Sequence, residues 1–265
     1  MTELKQAYIQ TPAPQEQIHA RFLGDSGPFI FFMHQWPLSS RQFGRVIPLL
    51  ADRYRAFGLD APGYGMSPST LTQQDFIEYA RRVLDAIDAL GARQFVLVGA
   101  EIGVGIAAEV ARLAGPGRAT HLLALAVPPV DPDEHRGFVA ELGEAKPQQD
   151  GSHVVLAWQQ LERRLGNHDP FQMQMAYTEK MNIFGRYHWG LRAYAGYDLA
   201  AGLRSVHCPT LFLSAERDPM AKHAPAAAAL VAGARHQIVP GARQTLAWTE
   251  PQTFVETLRR FITND

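Results

Sequence analysis

A chain of 265 residues, 46% apolar and 19% charged, is long enough to bury one large α/β core with a subdomain inserted into it. Its formal net charge of −1, with Lys and Arg scattered along the chain, leaves no electrostatic footprint for nucleic acid or an anionic membrane. The single cysteine, Cys208, excludes an intrachain disulfide and suits a reducing compartment. The opening residues lack the apolar segment of a secretory signal and no run could span a bilayer, so a cytoplasmic protein is expected.

Short apolar runs alternate with amphipathic stretches, the pattern of a parallel sheet covered by helices on both faces. Residues 18–24 (IHARFLG) and 28–34 (PFIFFMH) predict strands, the second apolar enough to be buried on both sides. A Ser-capped helix is expected over 39–52, bent or restarted by Pro48. Residues 54–63 read as strand and turn. The clearest helix is 72–91, with Thr72 at the cap, Asp75 at the capping-box position and Gly91 closing it. Then come a strand over 94–99, the turn GAEIG, a helix over 103–114 and a strand over 121–127.

From about 129 to 205 the alternation lapses into a stretch rich in aromatics and methionines, with several helices and no strong strand. It predicts an insertion lying over the sheet, residues 145–152 forming a loop within it. Alternation resumes with strand 209–215, a helix after Pro225, strand 234–241 and a last helix from Thr249 to about Ile262. The expected division is a core of residues 1–128 and 206–265 and a helical cap of 129–205.

Glu101 stands where an apolar strand gives way sharply to a helix, between Gly99 and Gly103. This is the spacing of a nucleophile elbow, where small neighbours let the backbone turn tightly. A helix N-terminus there stabilises negative charge, and the amide of Ile102 would face a developing oxyanion. The carboxyl ends of strands in an open α/β sheet are where ligands bind.

With these motifs the chain resembles the α/β-hydrolase superfamily over nearly its whole length. FIFFMHQWP (29–37) is similar to the strand ending in His-Gly-x-Pro, and LDAPGYGMS (59–67) to the Asp-x-x-Gly-Tyr/His-Gly-x-Ser turn. GAEIG corresponds to the elbow, SAERDP (214–219) to the strand end bearing the catalytic acid, and PGARQTLAWTEPQTF (240–254) to the Pro-Gly-x-Gly-His segment with its following helix. The His-x-Trp-Pro form and the inserted cap resemble the epoxide hydrolase and haloalkane dehalogenase branch. The resemblance implies a Ser, Asp or Cys nucleophile working with a His that is held by an acid.

Three positions, Glu101, Gln244 and Gln35, depart from that pattern. Glu101 replaces the nucleophile, Asp218 matches the acid, and Gln244 falls on the histidine. Gln35 also replaces the Gly after His34, and the next residue, Trp36, is the one that lends an amide or side chain to the family's anion site. Gln cannot usefully accept a proton near neutral pH, and a glutamate nucleophile would displace the attacking oxygen by about 1 Å. Glu101 is therefore read first as a general acid/base, with a Glu101–Arg243 pair in a dead site as the bland alternative. An ordinary turn residue is the plain reading of Asp218, and His34 is read as bonding loop backbone at the pocket edge.

The cap supplies Trp158, Tyr187 and Trp189 as the aromatics expected to line an apolar pocket, and His188 as a candidate replacement base. Core contacts are the commoner role of such residues. No metal-ligand spacing and no phosphate- or dinucleotide-binding glycine motif occurs, so neither metal nor cofactor is expected. The expected partner is a small-molecule substrate, without nucleic acid or membrane, and a homodimer is left open. The favoured reading is an enzyme using Glu101 for cyclisation, elimination, isomerisation, or epoxide or lactone opening on an apolar organic molecule. Hydrolysis with Glu101 as nucleophile or water-activating base is the second reading, and ligand binding without turnover the third.

Overall fold

Phe29–Met33 are all apolar and all buried, and this strand (β3) sits near the middle of one eight-stranded sheet. The computed structural model describes residues 3–12, 17–68, 75–141, 147–165, 169–183 and 187–263, with the side chains of 164, 165, 187 and 188 outside the description. The other strands are β1 (Lys5–Gln10), β2 (Gln17–Leu23), β4 (Arg55–Leu59), β5 (Phe95–Ala100), β6 (Ala119–Leu125), β7 (Thr210–Ala215) and β8 (Arg235–Val239). Their order is β1-β2-β4-β3-β5-β6-β7-β8. Pairing is antiparallel from β1 to β2 to β4 and parallel throughout the rest.

Period-two alternation gives the sheet two apolar faces. Phe31, Phe95 and Leu97 point to one face, where helices α2 (Phe76–Ala89) and α3 (Ile102–Ala114) cover them. Ile30, Phe32, Val96 and Val98 point to the other, under α1 (Ile47–Leu50) and α11 (Pro251–Thr263). Helix α2 buries Phe76, Tyr79, Ala80, Val83, Leu84 and Ile87, a stripe at helical spacing.

Among the described residues, five helices, α4 (Pro132–Glu141), α5 (Ser152–Leu165), α6 (Pro170–Asn182), α7 (Tyr187–Ala195) and α8 (Leu199–Arg204), occupy the chain between β6 and β7. Two short helices, α9 (Ala224–Ala228) and α10 (Leu246–Thr249), follow β7 and β8.

Several local expectations are corrected. Strand β1 was not expected; among its residues only Ile9 is buried, so the edge strand carries almost no apolar alternation. The helix expected over 39–52 is a 3-10 turn (Ser40–Phe43), capped by Ser39, and then α1 restarted at Pro48. Asp75, accepting from the Glu78 amide at 2.8 Å, caps α2, while Thr72 lies outside the described residues. Gly91 follows that helix at φ 71, the left-handed conformation expected of a closing glycine. Of the loop expected over 145–152, residues 145 and 146 lie outside the described residues and Ser152 already opens α5.

Candidate active site

The turn from β5 into α3 is held by contacts that do not involve the side chain at its apex. The Glu101 amide donates to the Leu125 carbonyl of β6 at 2.9 Å, and its own carbonyl accepts the Val104 amide at 2.9 Å. A Cβ on Gly99 would stand 2.6 Å from the Gly103 carbonyl oxygen, and one on Gly103 would run into the Met33 and His34 carbonyls. Only glycine fits at either flank. Between them Glu101 takes φ 52, ψ −119, a strained conformation for a residue with a side chain. Glu101 is 2% exposed and lines a cavity of about 410 Å³. Helix α3 starts at the next residue, so the amides of Ile102 and Gly103 lack intrahelical acceptors.

The loop after β3 is locked rather than open. His34 donates from Nδ1 to the Gln35 carbonyl at 2.9 Å, and its Nε2 accepts the Ala61 amide at 3.0 Å. That pattern requires a neutral imidazole, and burial lowers the pKa accordingly. His34 thus ties two loops together, with both ring nitrogens occupied. The Gln35 amide donates to Gln42 Oε1 at 2.9 Å, and Gln42 Nε2 donates back to Gln35 Oε1 at 3.0 Å. Trp36 is fully buried, stacked on Tyr64 at 4.6 Å between ring centroids. Of this loop it is Pro37, joined to Trp36 by a cis peptide, that lines the cavity.

Behind the same loop lies Asp60, fully buried. It accepts from His19 Nδ1 at 2.8 Å, the Ser40 amide at 2.6 Å and the Met66 amide at 2.9 Å. Burial opposes its ionisation, but the His19 contact and the amide hydrogen bonds outweigh this and hold its pKa down to about 2.

At the far ends of β7 and β8 the chain brings the remaining positions round. The Arg217 amide bonds the Ala242 carbonyl at 3.0 Å, tying the loop after β7 to the loop after β8. Asp218 is 6% exposed and caps the turn Pro219–His223, accepting the Met220 amide at 2.9 Å. Gln244 lines the cavity with Glu101, as do Pro219 and Met220. Arg243 is exposed.

On the cap side the cavity wall is more polar than the aromatic content of the cap predicts. Phe138 of α4, Gln160 and Leu161 of α5, and Lys180 of α6 form it, with exposed Glu141 and Arg163 at its rim. Lys180 Nζ donates to Gln160 Oε1 at 2.7 Å. Trp158 is instead 37% exposed, edge-on to Tyr177 at 5.5 Å. Trp189 is half-buried and is not among the cavity's lining residues. The side chains of Tyr187 and His188 lie outside the described residues. Tyr194, fully buried, packs on Phe76 and His135, and burial followed by the nearby Glu101 charge drives its pKa well up.

Sequence reasoning passed over Lys180, Gln160, Pro37 and Met220. A signal for Lys180 was present: Gln172, Ala176, Glu179 and Lys180 recur at helical spacing and form a buried face of α6. That face packs Met173 and Ala176 against Leu38 and Leu161 and adds polar contacts. Gln172 Nε2 donates to Thr245 Oγ1 at 2.6 Å, and Arg41 lies 3.5 Å from Glu179. Asp169, capping α6, takes hydrogen bonds from Arg45 at 2.7 Å and from the Trp248 indole at 3.0 Å. Among the described residues no group of three or more His, Cys, Asp or Glu could hold a metal ion, and no helix is long and apolar enough to cross a membrane.

A profile of the alpha/beta hydrolase fold matches residues 28–251, and the chain belongs to this family of enzymes. A non-heme haloperoxidase of Rhodococcus erythropolis is 26% identical over 265 aligned positions, covering 89% of this chain and 93% of that protein. A haloalkane dehalogenase of Mesorhizobium japonicum is 33% identical over a shorter segment, 33% of this chain and 28% of its own. The crystal structure of a bromoperoxidase from Bacillus anthracis superposes with a TM-score of 0.81 at 16% identity, covering 98% of this chain and 100% of that one.

Proposed function

We propose that Glu101 is the general acid/base of an enzyme acting on a small organic molecule held between sheet and cap. The observation that carries this reading is that buried Glu101 lines a cavity of about 410 Å³ together with Gln244. That volume suits a small-molecule ligand. Glu101 can exchange a proton with such a ligand, whereas the amide of Gln244 cannot. Negative charge that develops as the proton leaves is met by the first amides of α3. The chemistry this supports needs proton transfer and no covalent intermediate: cyclisation, elimination, isomerisation, or opening of an epoxide or lactone ring.

Glu101→Gln preserves the shape and removes the proton. Screened against epoxides, lactones and enolisable ketones, it should lose about 10²- to 10⁴-fold in kcat on whichever wild type turns over, with binding retained. Equal activity of variant and wild type would remove the acid/base role.

A second reading has Glu101 attacking as a nucleophile. Its positive φ at the elbow favours it, since that geometry presents a side chain to a bound substrate. Trapping an ester adduct on Glu101 by intact-protein mass spectrometry would replace the first reading with this one. Tight binding of a ligand with no product from either form would instead indicate a binding protein.

A further inference from the structure

We propose that the outer face of α5 is a self-association surface, on which a second copy of this chain docks through the same helix in antiparallel register. Of the nine exposed large apolar side chains among the described residues, five lie on α5 and α6: Val154, Val155, Leu156, Trp158 and Phe171. Val155 is 58% exposed and Phe171 78%. On a helix turning about 100° per residue, Val154, Trp158 and Val155 fall within about 100° of arc. They stand beside the inward stripe of Ala157 and Leu161, which is buried. Apolar groups gathered on one helix and left to water mark an interaction surface.

The charges around this face say what covers it. Asp150 accepts the Ser152 amide at 3.0 Å just before α5 begins, and Arg163 stands in the last turn of the helix. Both are exposed, and neither has a Lys, Arg, Asp or Glu ion-pair partner among the described residues. Two copies of α5 laid antiparallel about a two-fold axis set Val155 of each against Trp158 of the other, and Asp150 of each against Arg163 of the other. Both pairs are centred on the same point, between 156 and 157, so one axis satisfies them together. Glu162 then meets the N-terminal turn of the second helix, where the dipole favours an acid. Parallel pairing would instead oppose like charges at both ends. A lipid surface is disfavoured, because the acids Asp150 and Glu162 flank the patch. Exposed ion pairs add little energy, so apolar contact drives the association and the charges fix its register. One helix pair is smaller than the roughly 800 Å² per partner of a standard interface, which makes this a weak dimer that forms at micromolar concentration.

Sedimentation velocity on the full-length chain tests the proposal, from about 5 to about 200 µM. Wild type should pass from monomer to dimer across that range. Val155→Glu, at an exposed position, should weaken association about tenfold or more. Arg163→Glu and Asp150→Lys should each self-associate more weakly than wild type, since like charges then face one another. An equimolar mixture of those two variants should regain association close to wild type, because each copy meets opposite charge at both ends. Circular dichroism establishes that each variant is folded. If Asp150→Lys fails to fold, wild type against Val155→Glu and Arg163→Glu still decides the matter. A chain that stays monomeric at the highest concentration overturns the proposal. So does a dimer that a folded Val155→Glu leaves unchanged, or a mixture no stronger than the single variants. A monomer that floats with phosphatidylcholine vesicles, and loses this with Val155→Glu, would assign the patch to lipid instead.

Discussion

In the sheet domain the residues facing one another across the layers are Phe31, Phe32, Phe95, Phe212 and Phe254, each fully buried or nearly so. In α6 of the cap, the residues facing the core include Gln172, Glu179 and Lys180, with Asp169 clipping the helix start to Arg45 and Trp248. Apolar burial on the scale of the sheet makes separation of its layers costly, whereas polar contacts can be exchanged for water at little net loss. Two of the buried carboxyls show the same division. Asp60, in the core loops, is ringed by donors and has its pKa held down to about 2; Glu179, in the cap, is raised, chiefly by burial and only partly countered by Ser39 and Arg41. The sheet is an apolar frame, and α6 adds buried polar contacts to the apolar cluster that Met173 and Ala176 form with Leu38 and Leu161.

The sharpest way to break this contrast is at the elbow. Gly103→Val forces a side chain against the Met33 and His34 carbonyls, and should destabilise the protein by about 3 kcal/mol. In thermal denaturation this amounts to a fall in Tm of roughly 10 °C for a chain of this size. An unchanged Tm would show that the frame yields there.

A smaller effect comes from acid. Because the pKa of Asp60 is lower folded than unfolded, its contribution is present above the ordinary carboxyl pKa and is lost as pH falls from about 4 through 2. The loss is about 2 kcal/mol. Glu179 acts with the opposite sign, since a raised pKa favours the folded state as that carboxyl protonates. Urea unfolding across pH 2–5 should therefore show a shallower acid decline in Asp60→Asn and a steeper one in Glu179→Gln. Parallel slopes in all three proteins would refute the assignment.

The smallest effect concerns the cap alone. Asp169→Ala removes a helix cap and the bonds to Arg45 and Trp248, for about 1 kcal/mol at this partly exposed position. Limited proteolysis within 129–205 should accelerate severalfold while the midpoint of global unfolding scarcely moves. A midpoint shift as large as that of Gly103→Val would mean that cap and core unfold as one.

How much of this could be read from the residues differs between the same two regions. Strands β3 and β5 are buried on both sides, so their composition announces them, and the Gly99-x-Glu101-x-Gly103 spacing has a steric cause that needs no tertiary context. Strand β1 stayed hidden because an edge strand with one buried residue has no apolar pattern to show. Thr72 and Asp75 both have capping chemistry, and which one caps depends on where packing of Phe76 starts the helix. In the cap, which face of α5 turns inward is set by contact with α6, so Gln160 and Leu161 line the cavity while Trp158, two residues earlier, leans outward on Tyr177. Residue size was a poor guide there. The polar periodicity of α6 would have been the better one, since Lys180 lies on that buried face.

The elbow has one more consequence. What bends the chain at residue 101 is the pair of main-chain bonds to Leu125 and Val104 and the absence of side chains at 99 and 103. None of these depends on what stands at 101. The position is a socket whose shape is maintained by its surroundings, so different functional groups can be plugged into it with the scaffold left intact. Selection for folding and selection for reaction therefore act on different letters of the same five-residue turn, and a lineage can change its chemistry here without rebuilding the protein around it.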